Sequence, residues 1–152
     1  MHNRIAHGQR GFSLIEQLVA LVVVSVGMIG IAALYGQGLR AGSTALYRTQ
    51  AVNLVSDMAD RIRVNRRGRA SYGGAAANNG CDPGGGVNCT PAQMAAHDLA
   101  IWQAQVAALL PAGVGVVQFV GTVPPTYTIR ATWTEVGIGP LTHQVVIRVP
   151  PL

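Results

Sequence analysis

Glu16 stands four residues after Phe12 and just ahead of a long apolar run, Leu18 to Leu34. A charge in a membrane-embedded segment costs about 2.5–3.5 kcal/mol at mid-bilayer. A lone carboxylate placed there therefore marks a function, and a cation is the partner it seeks. The second candidate pair is Cys81 and Cys89, in a loop rich in Gly, Asn and Pro over residues 77–90. In an exported segment an oxidising compartment favours a disulfide between them. The loop so closed is short, worth about 2–3 kcal/mol of chain entropy. Zinc is the rival reading, with free thiols a third. Zinc needs four protein ligands, or three in a catalytic site, and no Cys or His pair nearby has suitable spacing.

The remaining polar groups carry weaker signals. His97-Asp98 lie together on an expected helix and His143 heads an expected strand, with no nucleophile, paired carboxylates or phosphate-binding glycine loop beside them. Catalysis is not expected, nor is a cofactor. His97 reads as a surface helix residue. Asn79, Asp82 and Asn88 could offer oxygens to calcium, although an Asx-rich turn accounts for the same residues. Asn88-Cys89-Thr90 matches a glycosylation sequon, discounted because the match is short and Cys89 is expected to be bonded.

The 152 residues suffice for one domain, and the formal charge of +5 comes from 11 basic residues, all Arg, against 6 acidic. Five Arg cluster at positions 61, 63, 66, 67 and 69, close to Tyr72. Such a patch could meet nucleic acid, but it is equally a solvated helix end or a contact with neighbouring subunits. No nucleic-acid partner is expected.

These residues need elements to hold them. Phe12 to Tyr35 is 24 residues, about 36 Å as a helix at ~1.5 Å per residue, enough for a bilayer of about 30 Å. Arg4 and Arg10 precede it, which places the leader on the cytoplasmic side. From Ala51 the apolar residues Val52, Val55, Met58, Ala59 and Ile62 follow, with offsets 0, 4, 7 and 11 from Ala51 forming one helical face. Asp57 and Arg61 make an i,i+4 pair on the other side. One helix from Phe12 to Asn65 results, apolar all round and then amphipathic.

Residues 66–91 read as a loop. Thr90-Pro91 supplies an N-cap and a first-turn proline for a helix through Ala95, Leu99, Trp102, Val106 and Leu109, closed by Pro111. Val114–Val120, Thr126–Thr134 and His143–Val149 read as strands, with Glu135 to Leu141 as the hairpin connection. The sheet and the amphipathic half of the long helix need each other as cover. The expected class is α+β: a long N-terminal helix packed on a small antiparallel β-sheet, with one extra helix.

Two basic leader residues, Gly11-Phe12, and Glu16 ahead of the apolar run resemble the class III prepilin signal of type IV pilins and secretion pseudopilins. The stretches 11–23 and 49–65, then Trp102 with 109–113, and 127–135, are similar to PilV-type minor pilins in particular. The resemblance implies a leader, residues 1–11, cut after Gly11 by the prepilin peptidase, and N-methylation of Phe12 by the same enzyme. It implies an assembly and membrane half of the helix over 12–35, an amphipathic half over 36–66, and a periplasmic or extracellular head over 67–152. Glu16 would pair with the N-terminal amine of an adjacent subunit during assembly. The expected location is the inner membrane, single-pass with a cytoplasmic N-terminus, and then the pilus. Expected partners are other minor pilins and the major pilin. The implied function is that of a minor pilin in pilus assembly, supporting twitching and adhesion; the alternative is a minor pseudopilin of a type II secretion system.

Overall fold

The computed structural model describes residues 11–81 and 87–150. The leader residues His2, Arg4, His7 and Arg10, and Asp82 of the cysteine loop, lie outside the described residues. Six elements follow in order. They are α1 (Leu14–Val64), a 3-10 helix η1 (Arg66–Gly73), α2 (Pro91–Leu109), β1 (Val114–Val120), β2 (Thr126–Glu135) and β3 (Gly139–Arg148). The chain divides into two compact units, residues 1–42 and 43–152.

In the first unit the described residues are 11–13 and the start of α1, and every one of them is exposed. Phe12, Leu14, Ile15, Leu18, Val22 and Ile29 are among its large uncovered side chains. Among the described residues α1 is the one helix long and apolar enough to cross a membrane. A helix apolar all round is stable only where lipid or protein surrounds it.

The second unit is the α+β body expected from the sequence. Its sheet is antiparallel in the order β1-β2-β3. The inner-face residues Tyr127, Ile129, Ala131 and Trp133 of β2 join Val117 of β1 and Ile147 of β3 in one core. The α1 residues Ala51, Leu54, Val55, Met58, Ala59 and Ile62 belong to the same core. The helical face is the expected one with one exchange: Leu54 is buried and Val52 is 44% exposed. Leu54 lies three residues after Ala51, inside the buried stripe. Val52 is rotated one residue, about 100°, away from it.

α2 starts where Thr90 predicts. The Thr90 hydroxyl accepts from the Gln93 amide at 3.3 Å, and the Gln93 side chain accepts from the Thr90 amide at 2.9 Å, a complete capping box. Trp102 is fully buried, and its indole N–H donates to the carbonyl of Leu54 at 2.8 Å, joining α2 to α1. Gly115 lets β1 approach this ring, since a Cβ there would stand 2.5 Å from the indole.

Three expectations are corrected. Residues 66–73 form two short 3-10 turns joined by a kink at Arg69 (φ 34°) rather than loop, because Tyr72 is drawn fully into the core and pins the segment. The hairpin connection shrinks to Val136, Gly137 and Ile138. Gly137 (φ 83°) and Gly139 (φ 97°) allow the tight reversal, so the ladder extends to Glu135 opposite Gly139. His97 is 4% exposed, so it is not a surface residue. Its neighbour Asp98 is drawn inward by Tyr72 and Arg61, and α2 turns this face to the core.

Candidate functional site

Gly11 and Phe12 precede the first turn of α1, and both are exposed, Phe12 to 75%. Glu16 lies in that first turn. Its backbone amide and that of Gln17 donate to the carbonyl of Ser13 at 3.1 and 3.2 Å, which fixes where the helix begins. The Glu16 side chain is exposed, one turn along from Phe12. The structure thus holds the three residues singled out for processing and assembly together at one open helix start. A carboxylate in the first turn also faces the positive end of the helix dipole.

Cys81 and Cys89 are joined as a disulfide, with Cα atoms 5.9 Å apart. The residues before it are tied to α2. The Asn79 side-chain amide donates to the Gln93 carbonyl at 2.9 Å, and the Ala77 amide donates to the Ala96 carbonyl at 3.0 Å. The Asn78 carboxamide accepts from the Gly80 amide at 3.1 Å, a local Asx turn. Among the described residues no group of three or more His, Cys, Asp or Glu could hold a metal ion.

The arginine cluster is partly structural. Arg61 donates to Asp57 at 2.9 Å and to Asp98 at 3.1 Å, and Arg63 donates to Asp60 at 2.6 Å. The Tyr72 hydroxyl donates to Asp98 at 2.7 Å and lies 3.2 Å from the Arg61 carbonyl. Burial pushes the Tyr72 phenol well above its usual range, and the Asp98 hydrogen bond and charge push the same way. Burial works against the charged form of Arg61, but hydrogen bonds to Asp57 and Asp98 and their charges outweigh it and raise its pKa. Tyr72 is therefore a core residue and not a nucleic-acid contact. His143 is on β3, opposite Ala131 of β2.

Sequence reasoning missed Glu135. It is the last residue of β2 and only 6% exposed, yet it sits where a loop was expected. One carboxylate oxygen accepts from the Thr44 hydroxyl of α1 at 2.6 Å, the other from the indole N–H of Trp133 at 2.8 Å. These hydrogen bonds, Thr44 first, lower its pKa against a smaller opposing desolvation, with Arg48 adding in the same direction. The available signal was the strand alternation Tyr127, Ile129, Ala131, Trp133, which continues inward to position 135.

Two family models match end to end. The prokaryotic N-terminal methylation motif covers residues 6–32, and the Tt1218-like family, described as type IV pilin Tt1218, covers residues 33–100. No curated protein and no solved structure matches the chain. With the fold above, these matches make residues 6–100 similar to type IV pilins, pilus or pseudopilus components, with an N-terminal methylation motif at the start. Type IV pilins are a structural protein class, and the motif implies processing by a prepilin peptidase.

Proposed function

We propose that the chain is a minor pilin of the PilV type, which takes part in starting type IV pilus assembly and supports twitching and adhesion. In this reading the leader is cut after Gly11, Phe12 is N-methylated, and residues 12–35 hold the subunit in the inner membrane with the head in the periplasm. The observation that carries it is the single carboxylate, Glu16, one turn from Phe12 at the start of an uncovered apolar helix inside the methylation motif.

The physical argument concerns one charge pair. Cleavage after Gly11 leaves a free amine on Phe12. A carboxylate in a low-dielectric medium is costly unless a cation compensates it. In the isolated, membrane-held subunit Glu16 faces lipid. In the filament the amine of an adjacent subunit offers compensation, so entry into the stack is favoured and directional. The partners in this reading are the other minor pilins and the major pilin.

The test is intact mass and N-terminal sequencing of the membrane-extracted protein, from cells with and without prepilin peptidase. The expected product is a chain starting at methylated Phe12, formed only with the peptidase. An uncut chain, or a cut after the small residues Ala32-Ala33 at the end of the apolar run, as in an ordinary secretory signal peptide, overturns the reading. Recovery of the mature chain in sheared pili, rather than in a secretion pseudopilus, tests the pilus assignment.

A further inference from the structure

The β2–β3 hairpin ends in Val136, Gly137 and Ile138, and its apolar side chains have no cover: Val136 is 103% exposed and Ile138 58%. From Val136 to Gln144 there is no Asp, Glu, Lys or Arg. The one acid beside the tip, Glu135, is turned inward onto Thr44 and Trp133 and presents no charge at the turn. Two apolar side chains on a convex turn with no charge among them match a lipid boundary better than they match a flat protein surface.

The position of the tip narrows the choice further. The Thr44–Glu135 hydrogen bond fixes the hairpin end beside the start of the second unit. Thr44 is nine positions after Tyr35, the last residue of the apolar span. Nine residues reach at most about 30 Å even when fully extended, so Thr44 stays within that range of the end of the span, and the hairpin end is bonded to Thr44. A tether this short makes the second contact effectively intramolecular, and a weak contact suffices. Arg40 and Arg48 flank Thr44 at i−4 and i+4, basic charges of the kind that anionic headgroups attract. The other end of β2 carries a similarly exposed apolar residue, Val123 at 92%, but about 30 Å away along the strand at ~3.3 Å per residue.

We propose that the Val136-Gly137-Ile138 tip is a membrane-contacting foot. It seats in the headgroup–acyl boundary of the bilayer that holds the apolar span, before the subunit leaves for the filament. This rests on the membrane-anchored reading of residues 12–35. The foot gives the head a second point of attachment to the lipid surface.

The experiment uses the full chain in vesicles of phosphatidylcholine and phosphatidylglycerol with brominated acyl chains, which quench tryptophan in or near the bilayer. Three variants are compared with the parent, whose Trp102 and Trp133 are both buried. They are Tyr35→Trp in the span, Val136→Trp at the tip, and Val123→Trp at the far end of the sheet. The expected result is strong quenching for Tyr35→Trp and Val136→Trp, with the added signal of Val136→Trp quenched at least about threefold more than that of Val123→Trp. Quenching of Tyr35→Trp with Val136→Trp no different from Val123→Trp overturns the foot and leaves the anchor standing; a tip that faces a neighbouring subunit gives this outcome. Loss of quenching in Tyr35→Trp overturns the anchor and the foot with it.

Discussion

The Thr44 hydroxyl donates to a Glu135 carboxylate oxygen at 2.6 Å, joining residues 91 positions apart in the chain. It ties the first turn of the body's helix to the last residue of its central strand. Two hydrogen bonds to the ionised form hold the Glu135 pKa below its usual value. A carboxylate so depressed contributes stability that is present above its unfolded pKa and is lost as pH falls through the folded one. Thr44→Val should therefore lower the melting temperature at pH 7, with the gap to the parent closing as the pH drops below about 4. Thermal melts at stepped pH check this, and a gap that is constant with pH removes Glu135 from the explanation.

Tyr72 works at the opposite end of the pH scale. Its pKa is raised, by burial first and then by Asp98. The stabilisation is complete below the unfolded value of about 10 and is lost as pH rises through the folded value. Absorbance titration at the tyrosinate band should show a late step that Tyr72→Phe removes. A phenol that ionises at its ordinary pH contradicts the buried network.

Asp98 links that phenol to Arg61, at 2.7 and 3.1 Å. Asp98→Ala removes the nearer of the two acceptors of the buried Tyr72 hydroxyl and one of the two carboxylate partners of Arg61. The expected loss is about 1–3 kcal/mol in urea unfolding, the cost of leaving buried polar groups unpaired.

Gly115 marks where β1 meets α2. A Cβ there lies 2.5 Å from the Trp102 ring. Gly115→Ala should cost about 1–3 kcal/mol through overpacking. Near-UV circular dichroism should report the displaced indole, and an unchanged spectrum with full stability counts against the close approach.

The Cys81–Cys89 disulfide closes a short loop, with a sequence separation of 8. Replacing both cysteines by Ser should lower unfolding free energy by about 2–3 kcal/mol on the chain-entropy account. The denaturation midpoint with and without reductant measures it.

Features set by local periodicity were legible in the chain. Ala51, Val55, Met58 and Ile62 repeat at helical spacing and are buried together, and Thr90-Pro91 announces α2. The β2 residues Tyr127, Ile129, Ala131 and Trp133 alternate and face inward. What escaped depends on partners distant in sequence. His97 reads as a surface helix residue, but Tyr72 lies in a segment without periodicity and reaches the neighbouring Asp98 across 26 positions. Glu135 reads as a loop acid because Gly137 and Pro140 follow it; its buried role comes from Thr44 on α1 together with the Trp133 indole. At the N-terminus the three candidate residues were legible because they form one contiguous stretch and need no tertiary contact to be found.

The attachment of α1 to the rest of its body has a mechanical consequence. Residues 43–64 of α1 meet the sheet and α2 through side chains, the Thr44–Glu135 and Trp102–Leu54 hydrogen bonds among them, and belong to no ladder of backbone bonds with a strand. A pull along the helix is therefore resisted in shear by interlocking core residues, all loaded together rather than parted one after another. Single-molecule traces on the full chain should show the helix leaving in one abrupt event, with the three-stranded sheet coming apart separately.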